Sequence, residues 1–409
     1  MPQEQGAPAS DRTKMNKVLA NIRVLDITRY VAGPICAAQL ADLGADVIHV
    51  ENVGGGEDRT PLPIDPEYPA GVGFVQCNRN KKGLSLDLTS DKGQEILHKL
   101  LEKTDILVAN MPQKALTSLR IDYDIVRKVK PDIIFAHITT FGNEGPYANR
   151  TGFDAIAQVM CGATHLSGWA AEPMKSAAAW VDMTTGNHAT IGILAALLYR
   201  NTTGKGQKVE INLLQSAMSV TNYFLMEEEL TDMGRVGIGN RAPSGAPCDL
   251  IHTRDGAFYV AILGNPMFKR FCEMIGKPEL TSDPRFASDE LRADNGVVLS
   301  EMATAWAADK TTDEALKVLA EFRLPAGPML TPRQVLDDPH VRSAGFLKNI
   351  DVPGLKKPVP YITPAYRLSE SPATIVSGPP LPGQHTDEIL AELGYGAAEI
   401  SELRNSAVV

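Results

Sequence analysis

The sequence is short of the features that mark membrane, secreted or metal-dependent proteins. No run approaches the ~18 consecutive apolar residues of a membrane-spanning helix. The leading stretch MPQEQGAPASDRTKMNK lacks the apolar centre of a secretory signal and reads as a disordered lead over residues 1–18. Cysteine is sparse, five residues with no C-x-x-C pair, which argues against a disulfide framework or a zinc ribbon and fits reduced thiols in a cytoplasmic protein. None of the eight histidines falls in an H-E-x-x-H or comparable spacing, so no metal is expected. Positive charge is also in deficit. With 40 Lys+Arg against 49 Asp+Glu, the formal net charge of −9 argues against nucleic acid or a membrane surface as partner, since both want a basic face. G-x-G-x-x-G, G-x-x-x-x-G-K-[ST] and G-x-S-x-G are all missing, which disfavours a Rossmann-type dehydrogenase, a P-loop protein and a serine hydrolase.

What is present is an ordinary globular composition, 44% hydrophobic and 22% charged, in a chain of 409 residues. That length exceeds what one core usually supports and predicts two domains or one with an insertion. IRVLDITR, the small-residue helix AGPICAAQLADLGA and DVIHVE form a β-α-β unit, and GLSLDL, DILVAN, PDIIFAHITTFG and KVEINLL continue the alternation. This spacing predicts an α/β fold with a largely parallel, Rossmann-like sheet. Ligands in such sheets sit at the carboxyl ends of the strands, here residues 28–34, 51–59, 110–115 and 139–147. The pattern changes near residue 225. The expected division is a large domain over 19–225, a smaller α/β domain over 226–330, and a return to the large domain over 331–409.

Four local features carry polar chemistry. The loop VENVGGGEDRT has a low-specificity resemblance to phosphate-binding turns and is equally a plain flexible turn. His49 lies in an apolar strand and reads as a core residue, while NRNKKG (78–83) reads as a solvated turn. Asp182 opens the alanine-rich helix that follows WVDMTTG and, by itself, reads as a helix cap.

Six ordered segments together change the reading of Asp182. IRVLDITRYVAGPICAAQLADLGADVIHVE, NRNKKGLSLDLTSDKGQEIL, FGNEGPYANRTGFDAIAQ, GILAALLYRNTTGKGQKVEINLLQSA, DPRFASDELR and GQHTDEILAELG resemble the class III CoA-transferases (CaiB/BaiF type), the group that includes formyl-CoA transferase. The resemblance covers nearly the whole chain from about residue 19. It implies transfer of CoA from an acyl-CoA to a carboxylic acid, with Asp182 as nucleophile and aspartyl-CoA as the intermediate. CoA and acyl-CoA are then substrates, and no tightly bound cofactor is implied. The family's CoA-contacting positions map onto Val31, Ala32, Asn52, Leu86, Asp87, Leu88, Thr89, Asn110, Met111, Pro112, Ser118, Arg150, Thr151, Gly152, Phe153 and Asp154. Where formyl-CoA transferases carry Gln, this chain has Val31; where they carry basic residues, it has Asn52, Thr89, Ser118 and Thr151. Arg59, Lys114, Arg120 and Arg150 are the cations left for the CoA phosphates. The family's poly-glycine loop is reduced to Gly264 followed by Asn265, which argues against formyl or oxalyl specificity. The resemblance also implies an inserted small domain and an interlocked homodimer. An α-methylacyl-CoA racemase-like enzyme is the alternative within the superfamily, disfavoured because Phe153 stands where a proton-carrying His is needed. A non-catalytic CoA-binding protein would have no use for Asp182.

Overall fold

The computed structural model describes residues 17–409. The lead expected over 1–18 thus lies outside the described residues up to residue 16, and Lys17 enters as part of a turn, donating to Pro372 O at 3.0 Å. The described chain divides into two compact units, one built from residues up to Cys161, Ser176–Asn222 and Ser343–Val409, the other from Gly162–Lys175 and Tyr223–Arg342.

The first unit is organised by six strands, β1 (Arg23–Asp26), β2 (Asp46–Glu51), β3 (Lys82–Ser85), β4 (Ile106–Ala109), β5 (Ile134–Thr139) and β6 (Lys208–Asn212). They form one sheet in the order β3-β2-β1-β4-β5-β6, every pair parallel. The parallel α/β sheet expected from the alternation is therefore present. β4, Ile-Leu-Val-Ala, is buried at all four residues, as a strand covered on both faces must be. The strand order reverses between β1 and β4, and the crevice at their carboxyl ends is where such sheets hold ligands.

Helices cover both faces. Between β1 and β2 runs α1 (Ala32–Asp42), almost wholly buried, as its Ala, Gly, Ile and Cys content requires; it gives way to Gly44 at φ +101°. On the way to β4, α2 (Asp91–Glu102) starts at Ser90, whose Oγ accepts the Gly93 N–H at 3.1 Å. Its Ile96, Leu97, Leu100 and Leu101 join Leu25, Leu84, Leu107 and Phe135 in the main core, which Ile389, Leu390 and Leu403 of the C-terminal segment complete. After β5 come α3 (Asp154–Met160) and the 24-residue α4 (Trp180–Thr203). Contact between α4 and α1 is close enough to need glycine: a Cβ on Gly186 would lie 2.3 Å from Ile35 Cγ2 and 3.0 Å from Ala32 O.

The basic run 78–83 is not the solvated turn its charges suggested. Lys81 Nζ is buried and donates to Asp26 Oδ2 (2.7 Å), Pro34 O (2.9 Å) and Asn78 Oδ1 (2.8 Å). Arg79 is buried against Asp42, and Asn80 reaches Asp42 and Thr374 O. The charges are used inside the fold because the backbone carbonyls and carboxylates of α1 and β1 face them, which a linear sequence does not reveal. His49 is a core residue as expected, with Nδ1 3.0 Å from Asp26 Oδ2.

The second unit holds an antiparallel sheet of β7 (Cys248–His252), β8 (Ala257–Ala261) and β9 (Ala326–Pro328), ordered β9-β8-β7. Helices pack on it around Phe258, Phe268, Phe271 and Phe286. The buried Arg292 pairs with Asp289 and donates to Asn265 Oδ1, while Asp289 accepts the Gly264 N–H at 2.9 Å, so the Gly264–Asn265 turn is tied down at both residues. Among the described residues no helix is long and apolar enough to cross a membrane, and no group of His, Cys, Asp and Glu could hold a metal ion.

The Asp26–Lys81 pair generates a prediction. Removing one partner of a buried pair leaves an uncompensated charge, a loss of about 3–5 kcal/mol. Asp26→Asn should lower the unfolding free energy by that order in urea titration; a change below about 1 kcal/mol would show that the ammonium finds water or another partner.

Candidate active site

Asp182 is the third residue of α4 and does not cap it. Asp154, the first residue of α3, does: its Oδ2 accepts the N–H groups of Val181 (2.9 Å) and Asp182 (3.0 Å). Gln158 braces Asp154 from one turn along, donating to its Oδ1 and to Ala178 O and accepting the Ser176 N–H. The cap read from the sequence at Asp182 thus belongs to an acid 28 residues earlier, because the chain between them folds back and brings α3 to the start of α4. Freed from capping, the Asp182 carboxylate receives no hydrogen bond from any described residue and lines a cavity. Burial first, and then the nearby Asp154 carboxylate, raise its pKa to about 7. The helix N-terminus favours the anion, but desolvation and a like charge outweigh it.

The cavity has a volume of about 570 Å³ and opens at the carboxyl ends of β1, β4 and β5. Ten of the residues expected to meet CoA or its acyl group line it: Val31, Ala32, Asn110, Met111, Pro112, Arg150, Thr151, Gly152, Phe153 and Asp182. Val31 and Ala32 form the start of α1, whose first amides have no intrahelical acceptor. The close approach of the chain here needs Gly33, since a Cβ would meet Thr28 side-chain carbons at 2.4 Å. Asn110 lines the cavity but spends its amide on the neighbouring loop, accepting the Arg29 N–H at 2.9 Å and donating to Arg29 O at 2.7 Å.

Seven expected residues do not line the cavity. Asp154 is buried against the start of α4. Leu86 lies in the main core and Leu88 packs against it. Asp87 turns its carboxylate onto Thr89 N and Oγ1, Asn52 O closes a turn with Gly55 N, and Ser118 ends the short helix Gln113–Ser118. The glycine loop after β2 folds back on its own strand, with Gly56 N–H donating to Glu51 Oε2 at 3.2 Å.

The expected cations also sort differently. Arg59 is removed from ligand duty, being buried, paired with both oxygens of Glu51 at 2.7 Å, bonded to Pro380 O and stacked 3.9 Å from the Phe74 ring centre. Arg120 is exposed and outside the cavity. Lys114 and Arg150 line it, and Arg150 lies over Tyr147 at 4.1 Å. The sequence reading passed over Arg29 as a cation. It lines the cavity, with Nη1 donating to Thr28 O and Val50 O, both at 2.9 Å. None of these three cations pairs with a carboxylate of the described residues. Tyr30 was also missed: in the left-handed region at φ +68°, it donates to Glu57 Oε1 at 2.8 Å and meets Phe153 edge-on at 5.4 Å. A bulky residue there is a strained conformation of the kind that gathers at binding sites, but no local sequence signal announces it.

The chain matches the profile of CoA-transferase family III over residues 19–386. It is 32% identical to a Mus musculus protein named succinyl-CoA:glutarate CoA-transferase, an alignment covering 99% of this chain and 93% of that one. It is 31% identical to a formyl-CoA:oxalate CoA-transferase of Bradyrhizobium, over 97% of this chain and 98% of the relative. A crystal structure of a CaiB/BaiF family protein from Brucella suis superposes with a TM-score of 0.82 at 32% identity, covering 92% of this chain and 99% of the other. The chain belongs to CoA-transferase family III, and it is an enzyme of CoA transfer.

The raised Asp182 pKa makes a stability prediction. An acid whose folded-state pKa lies above its unfolded value destabilises the fold as pH rises from about 4 through about 7. Asp182→Asn should therefore melt at a higher temperature than the wild type at pH 8, with the difference shrinking below pH 4. An unchanged difference across that range would mean that Asp182 is solvated rather than buried beside Asp154.

Proposed function

We propose that Asp182 is the nucleophile and that transfer runs through an aspartyl-CoA thioester. The observation that carries this reading is a carboxylate without a hydrogen-bond donor, turned into the cavity at the carboxyl ends of a parallel sheet, with its anion destabilised by burial. A poorly solvated anion gives up little on attack, so no general base is needed. An Asp182 oxygen adds to the acyl-CoA carbonyl carbon and the CoA thiolate leaves, giving a mixed anhydride. The thiolate then adds to the Asp182 carbonyl and expels the donor acid, leaving aspartyl-CoA. The acceptor carboxylate attacks this thioester and frees the thiolate, which takes the new acyl group and restores Asp182. The first-turn amides of α1 are suited to stabilise the oxyanion of these steps.

The ten lining residues would hold the thioester end of CoA, with Arg29, Lys114 and Arg150 offsetting phosphate charge that the acidic protein otherwise repels. Asn52, Asp87, Thr89 and Ser118 lie outside the cavity, and we assign them to the outlying nucleotide end; the side chains of Leu86 and Leu88 are committed to the core. The relatives named for succinyl-CoA:glutarate and formyl-CoA:oxalate transfer make dicarboxylic acids the first acceptors to assay. The racemase alternative remains disfavoured, because Phe153 carries no proton.

The remaining features of the reading are also proposals: a small domain near 226–330 inserted into a large one, an interlocked homodimer, and a cytoplasmic location suited to five buried free thiols. Self-association is supported by apolar residues left exposed on one unit, Ile156 and Val159 of α3 with Ile191, Leu198 and Tyr199 of α4. Light scattering should find a dimer that persists on dilution until it unfolds. A stable folded monomer would remove this part of the reading.

Asp182→Asn should lower transfer by several orders of magnitude, as loss of a covalent route does. In the wild type kcat/KM should rise as pH increases through about 7 and level off above, because the reactive form is the anion. Hydroxylamine trapping after incubation with acyl-CoA should modify Asp182 alone; an adduct on Asp154 or near-normal transfer by the Asn variant would overturn the assignment.

A further inference from the structure

Asn143, on the loop after β5, lines the cavity and is fixed from behind by a residue the transfer chemistry does not use. That residue is His137, wholly buried on β5. Its Nε2 lies 2.9 Å from the carbonyl oxygen of Met111, in the loop after β4. A carbonyl only accepts, so Nε2 carries the hydrogen. Burial holds the His137 pKa below the ordinary imidazole value, and the neutral ring leaves Nδ1 as an acceptor. Nδ1 lies 3.4 Å from Asn143 Nδ2. The other amide hydrogen goes to Glu210 Oε1, which also takes Lys208 Nζ at 2.6 Å. Both hydrogens of the Asn143 amide are thereby committed, and no described residue donates to its Oδ1.

We propose that Asn143 Oδ1 accepts an N–H of bound CoA, and that His137 and Glu210 are positioning residues that together decide which end of the Asn143 amide is free for ligand. The proposal rests on reading the cavity as the CoA site. An asparagine on an unsupported loop would offer its carbonyl or its NH₂ indifferently. Here the imidazole tautomer and the Glu210 carboxylate both demand the NH₂, so the acceptor is set before the ligand arrives and no ordering of the amide is left to binding. His137 joins two walls of the cavity through its two nitrogens, Met111 on one loop and Asn143 on the other. CoA carries N–H donors in two places, the amides of its pantetheine arm and the amino group of its adenine. Because the nucleotide end is assigned outside the cavity that Asn143 lines, the donor expected here is a pantetheine amide, and an analogue altered at the adenine serves as the control.

Calorimetric titration of the full-length protein distinguishes the two kinds of donor. The probes are CoA, an analogue with hypoxanthine in place of adenine, and analogues with an ester oxygen in place of each pantetheine amide N–H. The wild type should lose about three- to tenfold in affinity for the one analogue that lacks the contacted donor. Asn143→Leu should bind CoA with that same loss and show no further loss with that analogue, and it should raise KM for acyl-CoA more than it lowers kcat. His137→Phe, which leaves Glu210 on the NH₂, should weaken CoA binding by less than Asn143→Leu does, and the double variant should be no weaker than Asn143→Leu. If Asn143→Leu binds CoA as tightly as the wild type, or loses as much as the wild type with every analogue, the proposal is overturned even if His137→Phe fails to fold. Wild-type binding of CoA that Arg150→Glu weakens, alongside such a result, would overturn only the role of Asn143. Wild type that does not bind CoA, or an Arg150→Glu variant with unchanged affinity, would overturn the CoA cavity itself and this proposal with it.

Discussion

The ammonium of Lys81 is shut away from solvent, and the arrangement of the first unit around its cavity depends on how that charge is met. Its three N–H groups find three oxygens, on the Asp26 carboxylate, the Pro34 carbonyl and the Asn78 amide. The contacts fasten the end of β1 to the first turn of α1 and to the segment that leads into β3. Asp26 also accepts from Thr28 and lies against His49; burial opposes its ionisation, but Lys81 and then His49 hold its carboxyl well below the ordinary range. At the other end of α1, Arg79 and Asn80 from the same run take Asp42. A helix pinned at both ends presents a fixed surface to α4, and the Gly186 contact shows how closely the two lie. Asp182 is therefore placed by a charge network that contains no catalytic group.

A second constraint acts at the start of α4. One carboxylate, Asp154, is used to satisfy two backbone amides of the helix, and in doing so it brings its charge beside another carboxylate. Capping stabilises the helix start by about 1 kcal/mol, while the neighbouring anion works against ionisation of Asp182. The fold thus keeps the helix start intact and leaves Asp182, the proposed nucleophile, without hydrogen-bond partners among the described residues. If Asp182 capped its own helix, its oxygens would be occupied by amides and less available to attack.

The cavity wall divides polar groups into those the fold has spent and those it has kept. Asn110 is spent on Arg29 and Thr140 donates to Gly152 O, while Arg59, outside the wall, is spent on Glu51. Arg29, Lys114 and Arg150 keep their charge unpaired, which lets a chain with a net charge of −9 offer local positive potential to a polyanion. Tyr30 pairs a strained backbone with a hydrogen bond to Glu57, and the Asn110 bridge next to it helps hold the conformation.

Periodicity and composition by themselves determine much of this protein. The alternation of short apolar strands with helices specified a parallel sheet, because only crossover helices can connect parallel neighbours, and the loops at the strand ends were named on that basis. The loop 139–147 follows from that alternation, while the resemblance to class III CoA-transferases, not the periodicity, points to residues 150–154 and to Asp182 as nucleophile. Tertiary structure alone decided which acid caps and which is free, because the Asp154 oxygen reaches amides 27 and 28 residues away. It alone turned NRNKKG from surface to interior, since burial of a charge depends on partners supplied by α1 and β1. It also decided that Arg59 is structural and Arg29 faces the cavity, and it set the direction of the Asn143 amide. Each of these is a choice between hydrogen-bond partners distant in sequence, and a local pattern of residue types carries no record of which partner the chain will meet.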